Sequence, residues 1–195
     1  MFVSVTLLAI GLLLSSHSLA TQAMPVNSPA RHSPVVLEGA YLPNNAAVRE
    51  HVCRNVPLGY GIPGFQPGTH QKLVRKMFGV PSTISGGYWQ NTTAWVYHLI
   101  PEQVSVGFLF NRDSLLLQQT EASFVAEKVD PHLALETLNS MLGCHLPPEV
   151  RQKFHQVWQG KQQQYSFTLN GYQGKIQWEN RDRVYIGIWK QGFHR

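Results

Sequence analysis

Between Ala94 and Phe124 the chain alternates apolar and polar residues with a period of two, broken twice by turn chemistry. No other feature limits the fold as strongly. Trp95, Tyr97 and Leu99 alternate with Val96 and His98, and Pro101-Glu102-Gln103 then turns the chain. Val104, Val106, Phe108 and Phe110 alternate with Ser105, Gly107 and Leu109. Successive strand side chains point to opposite faces, so this pattern predicts half-buried antiparallel strands. Asn111-Arg112-Asp113-Ser114 reads as a second turn and Leu115 to Phe124 as a returning third strand. A meander with one apolar face needs a second layer to cover it.

That layer is legible on both sides of the meander. Thr69 is a candidate N-cap for a helix over 71–78, with Leu73, Val74, Met77 and Phe78 on one side and Lys72, Arg75 and Lys76 on the other. Gly79 supplies its stop and Pro81 confirms it. Pro131 to Leu142 reads as an amphipathic helix through Leu133, Leu135, Leu138, Met141 and Leu142. The order of features then repeats. Gln152-Lys153-Phe154 to Trp158-Gln159-Gly160 parallels Gln71-Lys72-Leu73 to Met77-Phe78-Gly79, and Pro148 stands where Pro67 stands. Tyr165, Phe167 and Leu169 match Trp95, Tyr97 and Leu99, and Asn180-Arg181-Asp182 repeats the turn at Asn111. The first copy carries extra residues, Val80 to Ala94. The expectation is an α+β fold of two tandem helix-plus-antiparallel-sheet units, 44–128 and 129–195, with meanders at Ala94–Phe124 and Gln164–Trp189. Chance recurrence of short identities is the competing reading.

The apolar run Val5 to Leu14, followed by small residues up to Ala23, reads as a signal peptide over 1–23, cleaved after Ala20 or Ala23. It is too short to span a bilayer. Its flank lacks Lys and Arg, which leaves a buried N-terminal strand as the alternative. Residues 24–43, with Pro25, Pro29 and Pro34, read as a flexible leader, and Ala46 to Cys53 as a helix. The expected compartment is periplasmic or secreted, where a Cys53–Cys144 pair oxidises. Closing a loop of that length lowers the unfolded chain's entropy by roughly 4–5 kcal/mol. Free thiols are one alternative. A zinc set of His51, Cys53, Cys144 and His145 is another, although adjacent Cys-His is poor ligand spacing.

The net charge of +5 favours an acidic partner, either an envelope component or a protein, over nucleic acid, for which no recognition motif is present. A charge that serves solubility alone is the competing reading. No nucleophile elbow, His-Glu-x-x-His, phosphate loop or dinucleotide fingerprint occurs, so no catalytic residue, metal or cofactor is expected. Glu121, in Gln118-Gln119-Thr120-Glu121, reads as a solvated carboxylate on the exposed sheet face. His51 near Cys53 keeps a small hydrolase or thiol enzyme as the alternative. The best candidate for function is Gly86-Gly87-Tyr88-Trp89-Gln90-Asn91-Thr92-Thr93, where paired glycines precede two rings. A mobile loop presenting those rings is one reading; rings folded back to cap the sheet is the other. Tyr88 and Trp89, with Trp95, Tyr97 and Phe108 from an aromatic sheet face, are the expected binding residues. Asn91-Thr92-Thr93 also fits the N-glycosylation pattern.

The Tyr60-Gly-Ile-Pro-Gly64 start, the helix closing in Phe78-Gly79-Val80-Pro81 and the three-strand meander together resemble BamE-like (SmpA/OmlA) and β-lactamase-inhibitor-protein-like modules. Gly87-Tyr88-Trp89, Trp95-Val96-Tyr97 and Gln118 to Phe124 look like segments of exported cyanobacterial proteins and of the extracytoplasmic tails of some of their serine/threonine kinases. The resemblance implies an extracytoplasmic binding scaffold, and for the inhibitor-like case a tandem of two such units. Neither family transmits catalytic residues. The chain has no Cys near the leader for a lipid anchor and no kinase glycine loop. The function these readings imply is an exported, soluble, non-catalytic binding or sensor module that contacts a protein or cell-envelope component.

Overall fold

The computed structural model describes Cys53, 62–180 and 182–194. The signal peptide, the leader and the helix expected before Cys53 lie outside these residues. Seven strands form one antiparallel sheet: β1 (Thr83–Gly86), β2 (Thr92–Ile100), β3 (Val104–Asn111), β4 (Leu117–Val125), β5 (Gln164–Leu169), β6 (Tyr172–Glu179) and β7 (Arg183–Lys190). Their order across the sheet is β1-β2-β3-β4-β7-β6-β5. Both expected meanders are present, β2-β3-β4 and β5-β6-β7, and their last strands pair with Ala122 opposite Ile186. β1 was not legible in the sequence, because all four of its residues are exposed and no apolar alternation marks it.

Three helices cover one face: α1 (Gln71–Phe78), α2 (Pro131–Met141) and α3 (Pro148–Trp158). Asp130 caps α2 by accepting from the His132 N–H at 2.8 Å, and Pro131 and Pro148 occupy first-turn positions where no amide is missed. α1 spans the expected residues, but its cap is His70 and not Thr69. His70 Nδ1 accepts from the Lys72 N–H at 3.1 Å, while the Thr69 hydroxyl donates to the Gln66 carbonyl. The cause is a short extended pairing: Gly68 N–H donates to Leu117 O, and Leu117 N–H to Thr69 O. That pairing keeps 68–69 out of helical geometry. At the other end Gly79 takes φ 75°, a left-handed value that a side chain disfavours.

The core lies between the helices and the inward face of the sheet. Val74 and Met77 of α1, Leu138 of α2, and Phe154 and Val157 of α3 meet Tyr97, Phe108, Phe124 and Ile186. Phe78 packs its ring 5.1 Å from Tyr97 and 5.6 Å from Phe108, and Trp158 lies 6.4 Å from Phe124. Each such side chain contributes roughly 1.5–3 kcal/mol on burial. The segment entering the core from Ile62 docks on α2: Ile62 N–H donates to Thr137 Oγ1, Gly64 N–H donates to Ser140 Oγ, and Ser140 donates back to the Ile62 carbonyl. Beyond that segment Cys53 is bonded to Cys144, with Cα atoms 5.4 Å apart across 91 residues of chain. Both thiols are consumed, which removes the free-thiol and zinc alternatives for these two residues. Among the described residues no helix is long and apolar enough to cross a membrane.

Trp95→Ala is expected to cost about 3–5 kcal/mol by urea denaturation, because the ring is 7 % exposed and leaves a cavity against Phe110. A loss under about 1 kcal/mol would place Trp95 outside the core. In the unreduced protein neither cysteine should react with iodoacetamide, and both should after reduction. Alkylation without reductant would contradict the bridge.

Candidate functional site on the helix-free sheet face

None of the described helices packs on the opposite face of the sheet, and polar and ring side chains gather there. The register explains why they gather where they do. One cross-strand row reads Val96, Gly107, Glu121, Gly187, Lys175. Glu121 thus has a glycine on each side, and bare backbone beside a carboxylate leaves room for large rings to lie over it. Tyr185, two residues before Gly187, lays its phenol across the glycine, where a Cβ would meet the hydroxyl at 2.5 Å. The next row reads Ala94, Leu109, Gln119, Trp189, Gln173.

Over this floor lies the 86–93 segment. The second of its glycines serves close approach: a side chain at Gly87 would collide with Thr92. The segment is closed by Gly87 N–H to Thr92 O at 3.0 Å, the Thr92 hydroxyl to Trp89 O at 2.6 Å, and Asn91 to Asp113 at 2.7 Å. Arg112 reaches in to donate to Thr92 O. Tyr88 and Trp89 are thereby folded back onto the sheet, the second of the two arrangements open from sequence.

A hydrogen-bond hub results. The hydroxyls of Tyr88 and Tyr185 both donate to Glu121 Oε1, the latter at 2.8 Å. Gln119 Nε2 donates to the same carboxylate oxygen and to the Tyr88 oxygen at 2.6 Å. Tyr88 is 61 % exposed overall, yet its hydroxyl end is turned into the sheet. Burial pushes the Tyr88 hydroxyl far above the ordinary phenol range, and the Glu121 charge adds to the effect. Tyr185 is raised in the same way, first by burial, then by Glu121 and Tyr88. Both phenols are locked as neutral donors.

The hub continues into a ring stack. Gln119 Oε1 lies 2.6 Å from His194 Nε2. His194 is sandwiched between two indoles, Trp89 at 4.2 Å and Trp189 at 4.4 Å, each plane within 20° of the imidazole. Phe193 adds an edge contact to Trp89 at 5.9 Å, and Trp189 Nε1 donates to Gln173 at 2.9 Å. The turn that brings 191–194 back over the sheet is held by Gln191 N–H to Gly171 O and Phe193 N–H to Lys190 O. Burial lowers the His194 pKa from the ordinary imidazole value.

Of the five residues expected to bind, the structure therefore brings Tyr88 and Trp89 together on the helix-free face. Trp95, Tyr97 and Phe108 are corrected to core positions: they are 7 %, 3 % and 1 % exposed, because the odd residues of β2 and the even residues of β3 face the helices. The aromatic sheet face read from those three is the covered one. Glu121 is a hub and not a freely solvated carboxylate. Gln119, Tyr185, Trp189 and His194 were missed; the glycines inside two strand patterns, Gly107 and Gly187, were the available signal for a crowded face. Among the described residues no three His, Cys, Asp or Glu side chains gather as a metal site. No protein-family model, curated protein or solved structure matches the chain.

Trp89→Ala is expected to cost about 1–2 kcal/mol, less than Trp95→Ala, because a ring stacked at the surface leaves no enclosed cavity. Equal losses in urea denaturation would contradict the placement. The docked His194 ring favours the neutral form, so its contribution is complete above the free imidazole pKa of about 6.5 and declines as pH falls through the lowered docked value. Tryptophan emission should change between pH 7.5 and 5 in the wild type and stay flat in His194→Gln. A stack that tightens on acidification would contradict this sign.

Proposed function

We propose that this chain is an exported, non-catalytic binding module, and that it contacts a protein or acidic envelope component through the helix-free face at Tyr88, Trp89 and their neighbours. The observation that carries this reading is the hub itself. Glu121, the carboxylate on this face, accepts two phenols and an amide, and the phenols are held neutral by burial. Such a network fixes shape and commits the carboxylate to accepting hydrogen bonds from its own chain, which suits recognition better than acid–base catalysis. Tyr88 still presents most of its ring to solvent, and exposed tyrosine of restricted freedom is a favoured contact residue. The thiol-enzyme alternative lacks support because both cysteines are bonded to each other.

A tandem, inhibitor-protein-like architecture is part of the same proposal. Supporting it are two meanders that run outward from a central β4/β7 pair, with α1 preceding the first and α3 the second. The first half adds β1 and the Tyr88–Trp89 segment within the stretch expected to be an insertion. Export is supported by the bonded cysteine pair, which oxidising compartments favour.

The test is a quantitative pull-down from envelope extract with the purified wild type and Tyr88→Ala. A partner retained by the wild type and weakened about 5- to 30-fold by the substitution, the equivalent of 1–2 kcal/mol, is the expected result. Steady hydrolysis of generic ester, phosphoester or glycoside substrates by the purified chain, lost in Glu121→Gln, would overturn the reading in favour of a hydrolase.

A further inference from the structure

The stack around His194 has the geometry of an occupied slot. Two indole faces enclose one imidazole nearly in parallel, at 4.2 and 4.4 Å, and an acceptor, Gln119 Oε1, stands at the ring's edge 2.6 Å from Nε2. That acceptor is pre-oriented, because the Gln119 amide nitrogen is committed to Tyr88, Glu121 and Tyr185. The site therefore reads a planar ring that carries an N–H on its rim. Both walls are fixed from below, Trp189 by its strand and by Gln173, and Trp89 by the closed 86–93 segment. The occupant belongs to no helix or strand and arrives through a turn.

A second observation points to a ligand. The Trp89 indole N–H is buried with no acceptor in hydrogen-bond geometry, and the nearby Tyr88 hydroxyl interacts with it only weakly. A buried donor without an acceptor is destabilising. The present occupant fills the space between the rings and leaves that donor unmet.

We propose that the Trp89–Trp189 slot is a recognition site for a histidine side chain offered by a protein partner, and that His194 is its intramolecular occupant, displaced when the partner's ring enters. This rests on the binding-module reading and names the contact within it. An internal occupant reduces apparent affinity by the fraction of time the slot is filled. The slot thus favours partners that also engage the Tyr88 side of the face and so hold their histidine at high local concentration.

The experiment follows the Trp89 and Trp189 indole N–H signals by NMR in the full chain and in His194→Gly, titrated with 4-methylimidazole and with methylguanidinium. The expected result is saturable binding of 4-methylimidazole to His194→Gly, at least about 10-fold tighter than to the wild type. It should vanish in His194→Gly/Trp189→Ala, and the thermal midpoint of His194→Gly should stay within about 3 °C of the wild type. An acetyl-Gly-Phe-His-Gly peptide should bind His194→Gly more tightly than acetyl-Gly-Phe-Ala-Gly, which ties the site to a histidine in a chain. Three results overturn the proposal: no saturation, equal response of wild type and variant, or a midpoint loss above about 10 °C, which makes His194 a structural staple. Tighter binding of methylguanidinium overturns the histidine assignment, and equal binding of the two peptides overturns the protein partner. If any of these occurs while Tyr88→Ala still weakens envelope capture, the slot fails and the binding-module reading stands.

Discussion

One carboxylate organises the helix-free face. Glu121 Oε1 receives hydrogen bonds from Tyr88, Tyr185 and Gln119, groups on three separate stretches of chain. Hydrogen bonds to a charged acceptor contribute roughly 1.5–3 kcal/mol each and are not independent. Their joint effect is to tie the 86–93 segment to β4 and β7. Gln119, held by the same hub, then passes the constraint to His194 and the ring stack. Without the carboxylate the Gln119–Tyr88 hydrogen bond and the ring stack remain, but the one atom shared by Tyr88, Tyr185 and Gln119 is lost.

The two faces of the sheet divide the work. The helix side carries the stability: the buried rings and aliphatics of both meanders meet α1, α2 and α3, and the Ile62–Phe65 segment is fastened to α2 near the disulfide. The other side spends its residues on a polar hub and stacked rings, which add modestly to stability and much to shape. The division follows from register alone. Gly107 and Gly187 flank Glu121 in one row, so the same strands that supply Phe108 and Ile186 to the core expose bare backbone beside the Glu121 side chain and beneath Tyr185 on the reverse.

Much of the fold was legible in the chain, and the limits have physical causes. The period-two alternation located β2, β3, β5 and the inward residues of each, and the turn chemistry at Asn111 and Asn180 marked the returns. Alternation gives the faces but not which face is covered; taking Trp95, Tyr97 and Phe108 for a binding surface confused a core face with an open one. β1 escaped because an exposed edge strand of four residues needs no apolar pattern. The hub escaped because it is built across strands: Glu121 finds Tyr185 through the β4–β7 pairing, and no spacing along the chain encodes that pairing. His194 lay beyond every periodic segment.

The central claim is that Glu121 pins the 86–93 segment independently of the helix-covered core. Amide hydrogen exchange on Glu121→Leu tests it most directly. The account predicts exchange at 87–91 accelerated by at least about tenfold, the equivalent of 1.4 kcal/mol, with the α2 amides at 135–141 unchanged. Uniform acceleration across sheet and helices, or no change at 87–91, would contradict it.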